Sequence, residues 1–517
     1  MKTMTSGVLA AFSSLAVTYV FLRFLLTYIH DAKEPPALET QIPFISPIIG
    51  MRKKMKFYMG LRDNYNLPIY TLHVPFMRLY IVNSTDLIPI IQRQPRVLDF
   101  APMEAKVAVN VMGSGPEGKE ILAMDRDGLG PFSYPIAFDK AIHPAVSPGP
   151  KLDAMNRHAV QKVSSAIEEI ASQAPKTLKL FEWVKREITL ATSEAVYGPK
   201  NPFASQDLQN DYCGTFEKGI ITLLIGLDFL VKESVKARTR IVDAFNGYFS
   251  SHSHEQGSAF VQAHYGHKVD FGISGKDIAR FEIGGMVAIL SNTIPASFWV
   301  LYHLISDPVA LEDCRKEVYA CCKSEGDTCT LDVTEVKARC PMLLSTLKES
   351  LRFHGIGTSV RVVTRDYLLD GKYFLKKGGI VMIPGPVQHS NKEAYGETVD
   401  QFQHRRFMKL SGGKRPNPIA FRGFGGGSTL CPGRHFASTE ILSLVAQMIV
   451  RFDFEPAKGV WVCPKTDRAG MQGTIAPPDN DVEVRITPAT GILAGKKWNV
   501  VLSGSDRAVE LSAEDIN

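Results

Sequence analysis

Cys431 stands in the run Phe424-Gly425-Gly426-Gly427-Ser428-Thr429-Leu430-Cys431-Pro432-Gly433-Arg434. A cysteine so placed can serve as a thiolate donor to iron. On the axial position of a haem, a thiolate pushes electron density that favours cleavage of an O–O bond. Such a sulfur has to stay deprotonated and unoxidised. Glycines let the backbone approach a flat ligand closely and adopt positive φ where a tight turn needs it. Pro432 can open a helix whose positive end lies near the sulfur and lowers its pKa. A Gly-rich turn before a helix, with an inert buried cysteine, is the competing reading. The spacing Phe-x-x-Gly-x-x-x-Cys-x-Gly counts against it.

Two other places carry residues with chemical potential. Ala288-Ile289-Leu290-Ser291-Asn292-Thr293-Ile294-Pro295 lies in the middle of an apolar helical pattern that extends from Ser274 to Ile305. Pro295 has no backbone N–H, so the carbonyl of Ser291 loses its partner. The helix should kink or widen there, leaving a polar notch beside Thr293. A Pro-kinked buried helix with its Thr hydroxyl bonded to its own backbone is the plainer reading of these residues alone. Ser274-Gly275-Lys276-Asp277 reads as a capping box at the start of this helix, and Asp307-Pro308 stops it and opens the next. Further on, Glu349 and Arg352 share one face of a helix expected over Met342 to Phe353. Such pairs are usually solvated and worth a few tenths of a kcal/mol.

Taken together, these segments resemble the cytochrome P450 family. The cysteine loop matches the family's haem-binding loop. Phe402-Gln403-His404-Arg405-Arg406-Phe407 resembles the segment that completes the family's Glu-Arg-Arg core network, so Arg406 joins Glu349 and Arg352, with His404-Arg405 where Pro-Glu is more usual. The resemblance covers roughly Pro35 to Ile486. Asn292-Thr293 keeps the family's threonine but replaces the usual preceding acid by an amide. That departure, Thr429 in place of a basic residue, and Pro477-Pro478-Asp479-Asn480-Asp481 look like the steroid 7α/12α-hydroxylase and prostacyclin-synthase branch. Fungal natural-product oxygenases also use this pattern.

The resemblance implies a mainly α fold with a small β-sheet region and an enzyme that inserts one oxygen atom from O₂ into a lipophilic polycycle such as a sterol, terpenoid or related secondary metabolite. The cofactor implied is heme b, with Cys431 as its iron ligand and Phe424, Gly425 and Gly433 around it. Arg361 is the candidate partner for a haem propionate, because Trp-x-x-x-Arg is absent near Leu152 to His158; Arg157 and His158 are further candidates. An exposed sheet-edge charge is the competing reading of Arg361. Thr293 and Asn292 are the residues expected to manage the proton and water at the oxygen site. Electrons would come from NADPH–cytochrome P450 reductase, with cytochrome b5 as a second possible donor. Two other functions stay open: a haem-thiolate isomerase or dehydratase acting on a peroxide without reductase, and a non-enzymatic haem-binding membrane protein.

The remaining sequence sets the frame for these sites. The 517 residues are 45% hydrophobic, enough for a large core, and carry a net charge of only +6. That modest charge gives no nucleic-acid signature and suits an acidic redox partner. The eight cysteines form no CxxC pair and no disulfide ladder, as expected of a reduced, cytosol-facing protein. Val8 to Ile29 is apolar except for Arg23 and reaches the roughly 20 residues needed to cross a bilayer; a removed signal peptide is the alternative. The expected organisation is a membrane anchor over 1–33, a proline-rich hinge over 34–50, a catalytic domain over 51–490 and a tail over 491–517. The expected location is the endoplasmic reticulum membrane, single-pass, with the catalytic domain in the cytosol. Ile69 to Val74 and Met77 to Val82 read as paired strands. Leu152 to Ile170, Thr215 to Val235 and Ala237 to Phe249 read as helices. Residues 101–150, rich in Gly and Pro, read as a long irregular lid.

Overall fold

The computed structural model describes residues 2–38, 40–126, 128–408, 416–470, 472–491, 493–504 and 509–515, with side chains from Phe12 onward. The tail expected over 491–517 therefore lies partly outside the described residues. The chain forms two compact units. One holds Met1–Met103, Ile356–Val399 and Asn417–Thr429; the other holds Glu104–Gly355, Asp400–Pro416 and Leu430–Asn517.

The first unit is built on a five-stranded sheet. Its members are β1 (Ile69–Val74), β2 (Met77–Val82), β3 (Leu98–Asp99), β7 (Thr358–Val363) and β10 (Ile380–Pro384), in the order β1-β2-β10-β7-β3. β1 and β2 form the expected hairpin, antiparallel from Ile69 opposite Val82 to Val74 opposite Met77. β-Branched and aromatic residues dominate both strands and fill two cores, one on each face. Tyr80, Val82 and Ile69 lie in one with Val381 and Ile383; Tyr70, Leu72 and Ile81 lie in the other with Met382. β8 (Tyr367–Leu369) and β9 (Tyr373–Leu375) pair beyond β7. This unit also contains helix α1 (Lys2–Ile29). The buried Asn83 side chain donates to Leu67 O at 2.8 Å, just after β2.

The second unit is mainly helical. In chain order its principal helices are α2 (Pro150–Gln173), α3 (Leu180–Tyr197), α4 (Glu217–Leu224), α5 (Ala259–Asp270), α6 (Lys276–Leu290), α7 (Thr293–Ile305), α8 (Pro308–Cys321), α9 (Pro341–Phe353) and α10 (Arg434–Arg451). Two small sheets flank them. One joins β4 (Lys176–Lys179), β11 (Phe452–Pro456) and β12 (Glu483–Pro488); the other joins β5 (Cys322–Glu325), β6 (Thr328–Asp332) and β13 (Lys497–Val501). The described cysteines are all free thiols.

Several expectations change at this level. Residues 101–150 are not an irregular lid: Ala101–Val107, Pro116–Ala123 and Ser133–Val146 are helices, and glycines with positive φ at 113, 128 and 130 separate them. Short helices between such breaks escape a reading by composition. The helix expected over Thr215 to Val235 ends at Leu224, where Gly226 (φ 79°) turns the chain, and the next begins at Lys232. The capping box at Ser274 does not form either. Gly275 is the N-cap with φ 54° and no side-chain bond, while the Asp277 carboxylate accepts from Gly115 N at 3.0 Å and from Arg280. That carboxylate therefore ties α6 to the segment before Pro116.

α6 is held from its other side by a buried charged cluster. Glu282 accepts from Tyr197 Oη at 3.0 Å, pairs with His264 Nδ1 at 3.1 Å and is bonded to Lys268 Nζ. Burial alone would raise the Glu282 carboxyl. His264 and Lys268 outweigh it and hold that carboxyl at about 2. The cluster locks α3, α5 and α6 together, and it would be strongly destabilised by loss of any one charge.

Candidate functional site

The cysteine loop starts from its glycines. Gly425 (φ 78°) and Gly427 (φ 59°) occupy the left-handed region that side chains avoid. A Cβ on Gly426 would sit 2.5 Å from Arg422 Nη1, and one on Gly427 would sit 2.7 Å from Gln92 Cγ. A side chain at Gly426 or Gly427 would therefore have to displace Arg422 or Gln92. Phe424 is half-buried at its start. Arg422 N donates to His389 Nε2 at 2.9 Å, which fixes the loop's entry.

Cys431 is half-buried and unpaired. Burial pushes its thiol pKa up, while the Gly433 N–H aimed at the sulfur and the Arg434 guanidinium pull against this by favouring the thiolate. α10 begins at Arg434 with Gly433 as its N-cap, two residues later than Pro432 would have started it. A thiolate of this kind would suit iron as a ligand, and the loop's glycines present little side-chain bulk of their own. These residues fit an iron porphyrin.

Arg361, on the interior strand β7, is buried, which removes the sheet-edge reading. Its Nη1 donates to Val360 O and its Nη2 to Thr429 Oγ1, both at 2.8 Å. It is therefore bound to the loop two residues before Cys431. Arg157 and His158 are exposed on α2, and Arg157 Nε reaches Leu502 O at 3.5 Å.

The Glu-Arg-Arg set comes together. Arg352 clamps Glu349 in a fork, Nε to Oε2 at 2.7 Å and Nη2 to Oε1 at 2.8 Å. Arg406 Nε reaches Glu349 Oε1 at 3.0 Å, and Gln403 N donates to the same oxygen at 3.0 Å. Both guanidinium groups also bond to Gln401 O. Glu349 is fully buried. His404 and Arg405, the unusual pair, turn instead to Asp313 on α8, with His404 Nε2 at 2.7 Å and Arg405 Nε at 2.9 Å.

The long helix is broken where Pro295 requires. α6 ends at Leu290 and α7 starts at Thr293, which places Pro295 in a first turn where its missing N–H costs little. Thr293 is buried and its hydroxyl donates to Ile289 O at 3.2 Å, bridging the break. Asn292 Oδ1 accepts from Thr474 N at 2.6 Å, and a Cβ on Gly473 would lie 3.2 Å from that oxygen. The amide thus holds the segment around Thr474 against the break. An ionised acid could accept the same bond but would place a charge there.

One cluster at this site had no sequence signal. Ser291 Oγ bonds to Tyr212 Oη at 2.8 Å, and its hydroxyl also bonds the carboxyl of Glu217 at the start of α4. Burial raises the Glu217 carboxyl, with Ser291 and Lys185 pulling partly against it. These residues lie far from Ser291 in the chain, and a lone acid at a helix start reads as a solvated cap. Below the break, Trp299 donates to Ala476 O at 2.7 Å and stacks on His354 at 3.6 Å between ring centroids, and His303 stacks on Phe402 at 3.6 Å. This aromatic pile joins α7 to α9, which carries Glu349 and Arg352.

The second unit carries a broken central helix and a buried Glu-Arg-Arg knot, and a Gly-rich loop leads into Cys431, as the resemblance to a cytochrome P450 implies. Comparison with known proteins agrees. The family model described as Cytochrome P450 matches residues 249–483. The cytochrome P450 monooxygenase nodJ of Hypoxylon pulicicidum is 34% identical over 472 residues, covering 88% of this chain and 90% of its own. A cytochrome P450 monooxygenase of Gibberella zeae is 28% identical, covering 86% and 89%. Cytochrome P450 7A1 of Sus scrofa is 30% identical over 212 residues, 38% of this chain and 42% of its own. The chain belongs to the cytochrome P450 family, and it is an oxidoreductase of the monooxygenase kind found among fungal relatives.

Proposed function

We propose that this protein is a membrane-anchored haem-thiolate monooxygenase that oxidises a lipophilic polycyclic substrate, with Cys431 as the axial ligand of heme b. The observation that carries this reading is the cysteine loop: an unpaired thiol near a Gly433 N–H and the Arg434 guanidinium, reached through glycines that turn the backbone with positive φ. When bound, the haem supplies the oxygen chemistry. The chain's residues do the rest. Gly433 and Arg434 favour the thiolate, and Arg361 offers a buried cation for a propionate. Glu349, Arg352 and Arg406 stiffen the support of the loop. Thr293 offers a hydroxyl at the helix break that can hold a water and pass a proton, while Asn292 keeps the Thr474 segment in place without adding charge.

The relatives and the exposed apolar α1 support a substrate class and a setting. Fungal monooxygenases and cholesterol 7-alpha-monooxygenase of Cricetulus griseus are among the similar proteins, which favours a sterol, terpenoid or related secondary metabolite. NADPH–cytochrome P450 reductase, with cytochrome b5 as an auxiliary donor, fits as the electron source. The endoplasmic reticulum membrane, with the catalytic part in the cytosol, fits as the location.

The test has two arms. The ferrous–CO complex of the full chain should give the red-shifted Soret band of thiolate ligation, and Cys431→Ser should abolish it; a normal band in the variant would place the ligand elsewhere. A binding-spectrum screen of lipophilic metabolites should then identify a substrate turned over only with reductase and NADPH. Product formed from a peroxide without either would replace this reading by the isomerase one.

A further inference from the structure

The described residues end in a segment that no motif of the chain explains. It lies beyond the family match, which closes at residue 483, yet it returns to the start of α10. Leu511 is fully buried and Ser512 is buried. Leu511 N, Ser512 N and Ser512 Oγ donate to Asp515 Oδ2 at 3.1, 3.0 and 2.9 Å. Those three bonds orient the carboxylate before it meets anything else. Its Oδ1 then accepts from Arg434 Nη2 at 2.8 Å and from Arg434 Nε at 3.2 Å, in the fork geometry of an Arg–carboxylate pair. The third nitrogen of the same guanidinium, Nη1, donates to Cys431 O at 3.2 Å.

A continuous hydrogen-bonded path therefore runs from Leu511–Asp515 through Arg434 to the peptide of the cysteine. The side chains of Arg434 and Asp515 are 18% and 7% exposed, which sets this pair apart from solvated surface pairs of little consequence. Asp139, which acts on Cys431, and His435 and Lys337 are further charged or titratable groups near this corner.

We propose that Asp515 is a positioning residue for the thiolate: acting through Arg434, it fixes the Cys431 peptide and balances the guanidinium charge beside the sulfur, so that Leu511–Asp515 tunes the iron ligand. The proposal rests on the assignment of Cys431 as that ligand. A carboxylate and a guanidinium at one corner act on the iron with opposite sign. Removing the negative charge should favour the reduced, less positive metal, and removing the positive charge should disfavour it.

The experiment uses full-length holoprotein with Asp515→Asn, Asp515→Glu, Arg434→Gln and Cys431→Ser, and it reads the ferric/ferrous potential, the ferrous–CO spectrum and amide hydrogen exchange over residues 431–438. Asp515→Asn should raise the potential, Arg434→Gln should lower it, and Asp515→Glu should restore the parental value. Loss of a charged hydrogen-bonded pair should speed exchange at the start of α10 by about tenfold in Asp515→Asn. Shifts of the same sign in Asp515→Asn and Arg434→Gln would reveal general loosening and overturn the proposal. So would parental potential and exchange in Asp515→Asn, with the thiolate band absent only in Cys431→Ser. A thiolate band that survives in Cys431→Ser would overturn the ligand assignment first and this inference with it, an outcome the spectrum separates from failure of the Asp515 tie alone.

Discussion

Thr293 is the residue at which the helix geometry and the proposed proton path meet. Its hydroxyl spans the break by donating to Ile289 O, and it can exchange that bond for one to water at modest cost, since such a bond contributes only about 1 kcal/mol net. Thr293→Ala should keep the fold and the affinity for substrate but uncouple the cycle. NADPH consumption continues, product falls on the order of 10²-fold, as expected for a lost positioned proton donor, and peroxide rises. Parallel assays of NADPH, product and peroxide check this; unchanged coupling would remove Thr293 from the proton path. Glu440, on α10, makes a second prediction at this scale. It is buried, Thr192 Oγ1 donates to both its oxygens at 2.8 and 2.7 Å, and burial lifts its carboxyl from 4.5 to about 8. At pH 7 the folded protein holds this proton and the unfolded chain does not, so unfolding releases a proton. The stabilising contribution is complete below pH 4.5 and is lost as pH rises through about 8, in total on the order of 5 kcal/mol. Glu440→Gln should flatten that part of the stability curve, read as the difference in Tm between the two proteins across a pH series. Equal slopes would show that Glu440 does not carry it.

The elements most exposed to a single change are those that meet at Glu349. α9 brings Glu349 and Arg352 to one face, and the segment Gln401–Arg406 closes over them with two backbone groups and a second guanidinium. Glu349→Ala leaves two arginines buried around a missing carboxylate, a penalty on the order of 3–5 kcal/mol. The variant should accumulate as largely apo or misfolded protein. Haem content per folded chain measures this, and full haem occupancy with only slower turnover would contradict a structural role. This knot was legible in the sequence because helix spacing fixes Glu349 against Arg352 and a recognisable segment supplied Arg406. The β1–β2 hairpin was legible because two apolar, β-rich runs are separated by a short turn, and the helix break because Pro295 can donate no bond. The rest depended on contacts distant in the chain. Nothing local links Glu217 or Tyr212 to Ser291, or Asn292 to Thr474. The Ser274 capping box failed because Gly275 takes the cap and the Asp277 carboxylate has a stronger claim elsewhere, on Gly115 and Arg280. In 101–150 the glycines mark the ends of short helices, which composition alone does not distinguish from an irregular loop.

At the scale of the whole molecule, two helical stretches among the described residues are long and apolar enough to cross a membrane, Phe12–Ile29 and Lys276–Ile305. Composition does not separate them, but burial does. The second is 72% buried and is the broken central helix of the second unit; the first is only 6% buried. Phe12, Leu15, Val17, Val20, Phe21 and Phe24 are each 59–70% exposed on α1. A continuous apolar surface of that extent requires a covering, and a stretch of about 20 residues matches the hydrocarbon thickness of a bilayer. Arg23 suits a position near the interface: its guanidinium packs over Tyr19 and bonds to Thr40 O at 3.2 Å, so its charge lies beside polar backbone. The exposed Arg52, Lys53 and Lys56 follow in the first unit and would face an anionic leaflet. A spanning helix and a surface-bound basic patch predict different extraction behaviour. The full chain should stay with membranes through alkaline carbonate and come off only with detergent. A chain lacking residues 1–33 should be released by high salt, because the remaining attraction is electrostatic and screened. The holoenzyme spectrum should survive the truncation, since no residue assigned to the cysteine loop or to the Glu349 knot lies in α1. Release of the full chain by carbonate would rule out the spanning helix. A mature protein whose N-terminus begins after Ile29 would instead identify the segment as a removed signal peptide.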